Sequence, residues 1–155
     1  MRFIDEAVIE ISSGDGGNGC LSFRREKFIP KGGPDGGDGG KGGSINFIAK
    51  ESLHTLQDFK LKRKYKAQNG RQGKGKNMHG KDGEDTILEV PLGTLLINDE
   101  TDELLCDLTD ANQEYTAVIG GKGGLGNARF KTSTNRAPRK TTEGKLGEII
   151  SVRLE

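Results

Sequence analysis

The 155-residue chain has no tryptophan, only two cysteines and four prolines, and aromatic residues make up just 5% of it. Cys20 and Cys106 stand far apart with no CxxC neighbour, which excludes a disulfide framework and a cysteine zinc site and fits a reduced cytosolic compartment. No apolar run approaches the roughly 20 residues of a membrane helix. The start, MRFIDEAVIEI, carries acidic residues where a signal peptide needs an unbroken apolar stretch. Hydrophobic content is low at 31%, but the net charge of +1 argues against a chain disordered throughout. One domain of ordinary size is expected, with no membrane association.

Two things are present in excess. The first is segregated charge: nine basic residues and no acidic one lie between Lys60 and Lys81, then eleven acidic and no basic between Asp82 and Gly121. Basic residues return from Lys122 to Lys145, interrupted only by Glu143. A fold that gathers the basic segments presents a cationic face on a nearly neutral protein. The second is glycine: of 25 glycines, 22 fall in four clusters, at 14–19, 32–43, 70–83 and 120–126.

Three of these clusters contain G-x-G-G-x-G: GDGGNG at 14–19, GDGGKG at 37–42 and GKGGLG at 121–126. A dinucleotide fingerprint needs a strand before it and a long helix after it. CLSFRREKFIPKGG follows the first, a strand pattern the second, and the proline-containing NARFKTSTNRAPRK the third. None can supply that helix. None of the six Gly-Lys pairs is followed by Ser or Thr, so no Walker A loop is present. Spacing explains the glycines better. In GGPDGGDGGKGGS they recur at 33, 36, 39, 42 and at 37, 40, 43, leaving Asp35, Asp38, Lys41 and Ser44 on the third register. A repeat of three is that of polyproline II. Two bare faces let neighbouring segments touch through their backbones, and the third face is expected to point charge to water.

Between the clusters lie short strand-like segments: AVIEI (7–11), SINFIA (44–49), YTAVI (115–119) and EIISVRL (148–154). FKLKRKYK (59–66) alternates as a half-buried strand with Phe59, Leu61 and Tyr65 inward. The acidic region 82–114 reads as solvated strands broken at Pro91-Leu92-Gly93 and at NDETDE. Only 51–58 could hold a turn or two of helix. The expectation is a mainly β domain, a small antiparallel barrel or sandwich, with a second layer of packed polyproline-II segments.

If those segments pack side by side, the residues between them form basic loops at the far end. They carry Arg24, Arg25, Lys27, Phe28 and Lys31 in the first, Arg71, Lys74, Lys76, His79 and Lys81 in the second, and Arg136, Arg139, Lys140 and Lys145 in the third. Such cations suit phosphates, arginine planes can stack on bases, and Phe28 can take an unstacked one. His79 has no nearby metal-ligand partner, His54 beside Leu53 and Leu56 reads as structural, and Cys20 reads as a small buried residue. No nucleophile–base spacing stands out, so no catalytic, cofactor or metal residue is assigned.

The long motifs GDGGNGCLSFRREKFIPKGGPDGGDGGKGG, AQNGRQGKGKNMHGKDGEDTILEVPLGT and GGKGGLGNARFKTSTNRAPRKTTEGKLGE resemble the N-terminal domain of the Obg GTPases, across essentially the whole chain. The resemblance implies a single domain over 1–155: an eight-stranded β-barrel bearing six glycine-rich polyproline-II helices, the array drawn mainly from 12–43, 68–84 and 120–147. It further implies that a GTPase domain using GTP and magnesium follows, that this part hydrolyses nothing, and that the whole protein acts in large-ribosomal-subunit maturation and stress control. The loop tips would approach the peptidyl-transferase region of the rRNA. A cytoplasmic, ribosome-associated monomer is expected. The rival reading is a protein-interaction scaffold for a ribosomal or stress-signalling protein, with the acidic 82–114 region as its surface.

Overall fold

The computed structural model describes residues 6–24 and 32–155. Eight strands form: β1 (Ala7–Ser12), β2 (Ile45–Lys50), β3 (Lys64–Lys66), β4 (Thr86–Pro91), β5 (Thr94–Asn98), β6 (Leu104–Leu108), β7 (Glu114–Val118) and β8 (Ile149–Leu154). They pair as a five-stranded sheet, β3-β1-β8-β5-β6, and a three-stranded sheet, β4-β2-β7. Alternation sets the faces. In β1 and β2 every second residue (Ala7, Ile9, Ile11; Ile45, Phe47, Ala49) is buried, and these meet Val90, Leu96, Leu108, Val118, Val152 and Leu154 in one core. Both sheets contribute to it, so they face one another.

The resemblance implies one closed barrel; the eight strands instead make two sheets, with no ladder joining them among the described residues. The reason lies partly in β3. FKLKRKYK is read as one strand, yet Gln57–Leu61 is a short helix, α1, and only Lys64–Lys66 are extended. Leu56 and Phe59 turn into the core while Leu61 is 81% exposed, so burial of Phe59, not alternation, decides the local structure. The short β3 pairs only with β1, in parallel, and reaches no strand of the second sheet. Helix begins at Gln57, not across 51–58, and His54 is exposed, not packed.

The glycine clusters build a second layer. The chain leaves the sheets three times, after β1, β3 and β7, and each excursion goes out and back as two segments. Their hydrogen bonds repeat every three residues. Gly14, Gly17 and Cys20 N–H donate to the carbonyls of Gly43, Gly40 and Gly37, at 2.8–3.0 Å. Gly37, Gly40 and Gly43 in turn donate to Lys74, Arg71 and Gln68, while Gly121 and Gly124 donate to Gly14 and Gly17. Gly80 and Gly83 reach Asp38 and Lys41, and Ser13, Gly16 and Gly19 reach Glu148, Lys145 and Thr142. Backbone amides thus find partners on other segments rather than in their own, which satisfies polar groups in a layer without helix or sheet.

The third register differs from the sequence expectation of a charged face turned to water. Asp35 and Ser44 are buried, and only Lys41 of the four is well exposed. Side chains on this register and its neighbour close the remaining amides. Lys76 N–H donates to Asp35 Oδ2, Asp38 N–H to His79 Nδ1, Lys41 N–H to Asp82 Oδ1 and Ser44 N–H to Asp85 Oδ1, all at 2.8–3.0 Å. The acceptors His79, Asp82 and Asp85 themselves recur at intervals of three.

Asn127 ties the outer end together. Fully buried, its Oδ1 accepts from Gly36 N–H at 2.9 Å and its Nδ2 donates to the carbonyls of Ser22 and Pro138 at 2.9 and 3.1 Å. One side chain therefore joins two segments to the returning loop after residue 130. Asn127→Ala should destabilise the domain by about 2–4 kcal/mol, because buried amide and carbonyl groups lose their partners. Urea unfolding checks this. Hydrogen exchange should show the loss first at residues 20–24, 35–37 and 137–139, and uniform exchange across the chain would contradict it.

Candidate nucleic-acid interface

The three excursions end together. At the outer end of the first, Phe23 bridges Pro34, and Arg24 N–H donates to Gly33 O. The second turns between Lys74 and Met78, with Lys76 and Asn77 both left-handed at φ +61° and +56°, a two-residue hairpin turn. Asp35 holds that turn to the first excursion: its carbonyl accepts from Asn77 N–H at 2.7 Å and its Oδ2 from Lys76 N–H. The third begins with a 3₁₀ turn at Asn127–Phe130 and returns through Pro138. The Arg139 guanidinium lies 5.5 Å from the Phe23 ring centroid, and Lys140 Nζ lies 5.1 Å from that of Phe130.

The sequence-predicted cations divide by position. Arg24, Lys74, Lys76, Arg136, Arg139 and Lys140 are exposed at or beside the tips. Arg71 and Lys81 sit one repeat below, since Arg71 N–H donates to Lys81 O and Gly40 N–H to Arg71 O. Lys145, bonded through its backbone to Gly16 and Lys122, lies on the flank beside exposed Leu146 and not at the third tip. His79 is exposed, but its Nδ1 is used to accept the Asp38 N–H. Arg25, Lys27, Phe28 and Lys31 lie outside the described residues. Cys20 is half-buried within the first segment, its carbonyl accepting from Asn127 N–H.

Several organising residues escape sequence reasoning. Arg129 makes a two-nitrogen contact with Asp38 Oδ2, Nε at 3.0 Å and Nη2 at 2.8 Å, while Gly126 N–H donates to Asp38 Oδ1 at 2.9 Å. Burial raises the Asp38 carboxyl, but the hydrogen bonds from Arg129 and Gly126 and the guanidinium charge outweigh it and hold it below the ordinary value. A depressed carboxylate contributes stability above its unfolded value, and that contribution disappears as pH falls through the lower folded one. Asp38→Asn should therefore melt below wild type at pH 6, with the gap narrowing below about pH 4. A gap that stays constant down to pH 2.5 would remove the ion pair from the explanation.

A family model for GTP1/OBG matches residues 4–155. The chain belongs to that family. Similar Obg relatives, each bearing the name GTPase Obg, come from Syntrophotalea carbinolica, 59% identical over 155 residues, and from Thermoanaerobacter sp. (strain X514), 58% identical over 153. Another, from Caldanaerobacter subterraneus subsp. tengcongensis, is 58% identical over 155 residues. These matches cover 99–100% of this chain but only 36–44% of the relatives, so the Obg chain described here spans well under half their length. The mainly β sheets and the threefold glycine layer are thus properties of an Obg family member's N-terminal part.

Proposed function

We propose that these 155 residues are the RNA-docking module of an Obg GTPase, and that the three tips contact large-subunit rRNA near the peptidyl-transferase region. The observation that carries this reading is the convergence of the three excursions. It gathers exposed cations from positions 24, 74–76 and 136–140 around a stacked Phe23–Arg139 pair, at the end farthest from the sheets. Cations to neutralise phosphate and a planar platform for a base are what single-stranded and looped RNA requires. The six segments are read here as polyproline-II helices, on their repeat of three and their bonding to other segments. Interlocked in this way, they make a stiff rod whose length sets how far the tips reach.

GTP hydrolysis with magnesium, in this reading, belongs to the part of the protein outside these residues, and this part supplies position on the subunit. The protein acts as a cytoplasmic monomer in large-subunit maturation and its coupling to stress. The scaffold alternative is less favoured, because Arg153 already engages two carboxylates at the turn between β5 and β6. Its guanidinium donates to Asp99 at 3.0 Å, Asp102 at 2.8 Å and Glu155 at 3.1 Å.

Co-sedimentation with isolated large and small subunits across a salt series tests the proposal. If about five phosphates are neutralised, log affinity for the large subunit should fall against log salt with a slope near −3.5. Binding to neither subunit would sink it.

A further inference from the structure

An open cleft of about 770 Å³ lies among the tips, with Phe23, Arg139, Asp35, Gly75 and Lys76 on its walls and floor. Asp35 is its unusual member. The residue is only 7% exposed, and its Oδ1 is buried without any hydrogen-bond partner. The carboxylate cannot swing away to find one. Its own N–H donates to Ser22 O at 3.0 Å, its carbonyl accepts from Asn77, and Oδ2 accepts from Lys76. A buried acceptor fixed in this way goes unsatisfied unless something else brings a donor.

Gly75 stands beside it. A Cβ there would lie 2.8 Å from Ser22 Oγ and 3.8 Å from Asp35 Oδ1, so a side chain at this position would crowd Ser22 and add cover over a carboxylate that is already closely packed. One wall is the Phe23 ring with the Arg139 guanidinium 5.5 Å from its centre, a platform for a flat π system. At the rim stands exposed Lys76, a cation for a phosphate. Its left-handed backbone, which lysine adopts rarely, is held by the hydrogen bond to Asp35.

We propose that this cleft takes one unpaired nucleobase edge-on to Asp35, and that guanine fits it best. Guanine carries two adjacent donors, N1–H and the N2 amine, toward a carboxylate that can accept from both. Uracil offers one donor flanked by acceptors, which the carboxylate repels. The base stacks on the Phe23–Arg139 platform, and its backbone phosphate lies over Lys76. The inference rests on the RNA-docking reading and adds to it a base preference at one tip.

The test uses short RNA hairpins, each with a single unpaired G, A, C or U, titrated by fluorescence anisotropy. Wild type should favour the G hairpin over the U hairpin by roughly tenfold. In Asp35→Asn the amide oxygen keeps the Lys76 bond, so the NH₂ group takes the place of Oδ1 and presents a donor where an acceptor stood. The G preference should vanish, with the salt slope unchanged. Gly75→Ala, which leaves Asp35 in place and narrows the approach, should lose it too and serves if Asp35→Asn fails to fold. Equal affinity for all four hairpins in wild type, or a G preference that survives both variants, overturns the inference. Binding to no hairpin overturns it as well; the RNA-docking reading falls with it only if the subunits also fail to bind.

Discussion

Gly39→Ala should lose about 4 kcal/mol or more of stability. Gly39 sits where the first excursion's returning segment passes both its outgoing partner and the third excursion. Its N–H donates to Gly124 O at 2.8 Å, and a Cβ built on it would collide with the carbonyl of Gly17 and stand 2.8 Å from that of Asn18. The obstacle is backbone, not a side chain that could rotate aside. Gly17 is itself held by bonds to Gly40 and from Gly124, so making room for the methyl means parting three segments and breaking the rungs on either side. Against a typical total of 5–15 kcal/mol that is enough to unravel the layer. The matched control is Gly33→Ala, where among the described residues a Cβ meets only Lys131 Nζ at 3.6 Å. That change should be neutral or stabilise by up to about 1 kcal/mol, since alanine restricts the unfolded chain more than glycine does. Urea midpoints and limited proteolysis compare the two. Equal midpoints for Gly39→Ala and wild type would mean that the segments are not in backbone contact.

That contrast shows why the glycine layer could be read from sequence and the sheets only in part. A repeat of three with glycine on two registers has few structural solutions, and positions 36–43 announce it. Strand content was equally visible, because Ile9, Ile11, Phe47 and Val152 sit in alternating or β-branched runs. What alternation cannot supply is partner choice. FKLKRKYK alternates well, yet burial of Phe59 beneath α1 overrides the pattern, and closure of a barrel depends on edges that lie far apart in sequence. The tips were legible as basic loops suited to RNA, but the contacts that hold them together were not. The side chains of Asn127, Arg129 and Asp35 act through partners 11 to 105 positions away, so neither spacing nor composition reveals those contacts.

Reversing three charges at the third tip, Arg136→Glu, Arg139→Glu and Lys140→Glu together, should lower affinity for the large subunit by at least ~100-fold at moderate salt. All three are exposed, and none makes a salt bridge among the described residues, so their positive charge is free of a local carboxylate. The reversal should leave the fold standing, because the buried anchors of that loop are Asn127 and Pro138 and not the cations. Arg139 also loses its place on the Phe23 ring, so the stacking platform goes with the charge. Two readouts separate these contributions. The salt slope should become shallower by about 2, at roughly 0.7 per phosphate for three lost contacts. Arg139→Gln alone, which keeps a planar side chain, should change the slope by about 0.7 and retain more affinity than Arg139→Glu. A triple variant that co-sediments like wild type, with an unchanged slope, would move the docking surface away from the tips. The flank cations Arg71, Lys81 and Lys145, spread along the rod one or two repeats from its end, would then be the residues to reverse next.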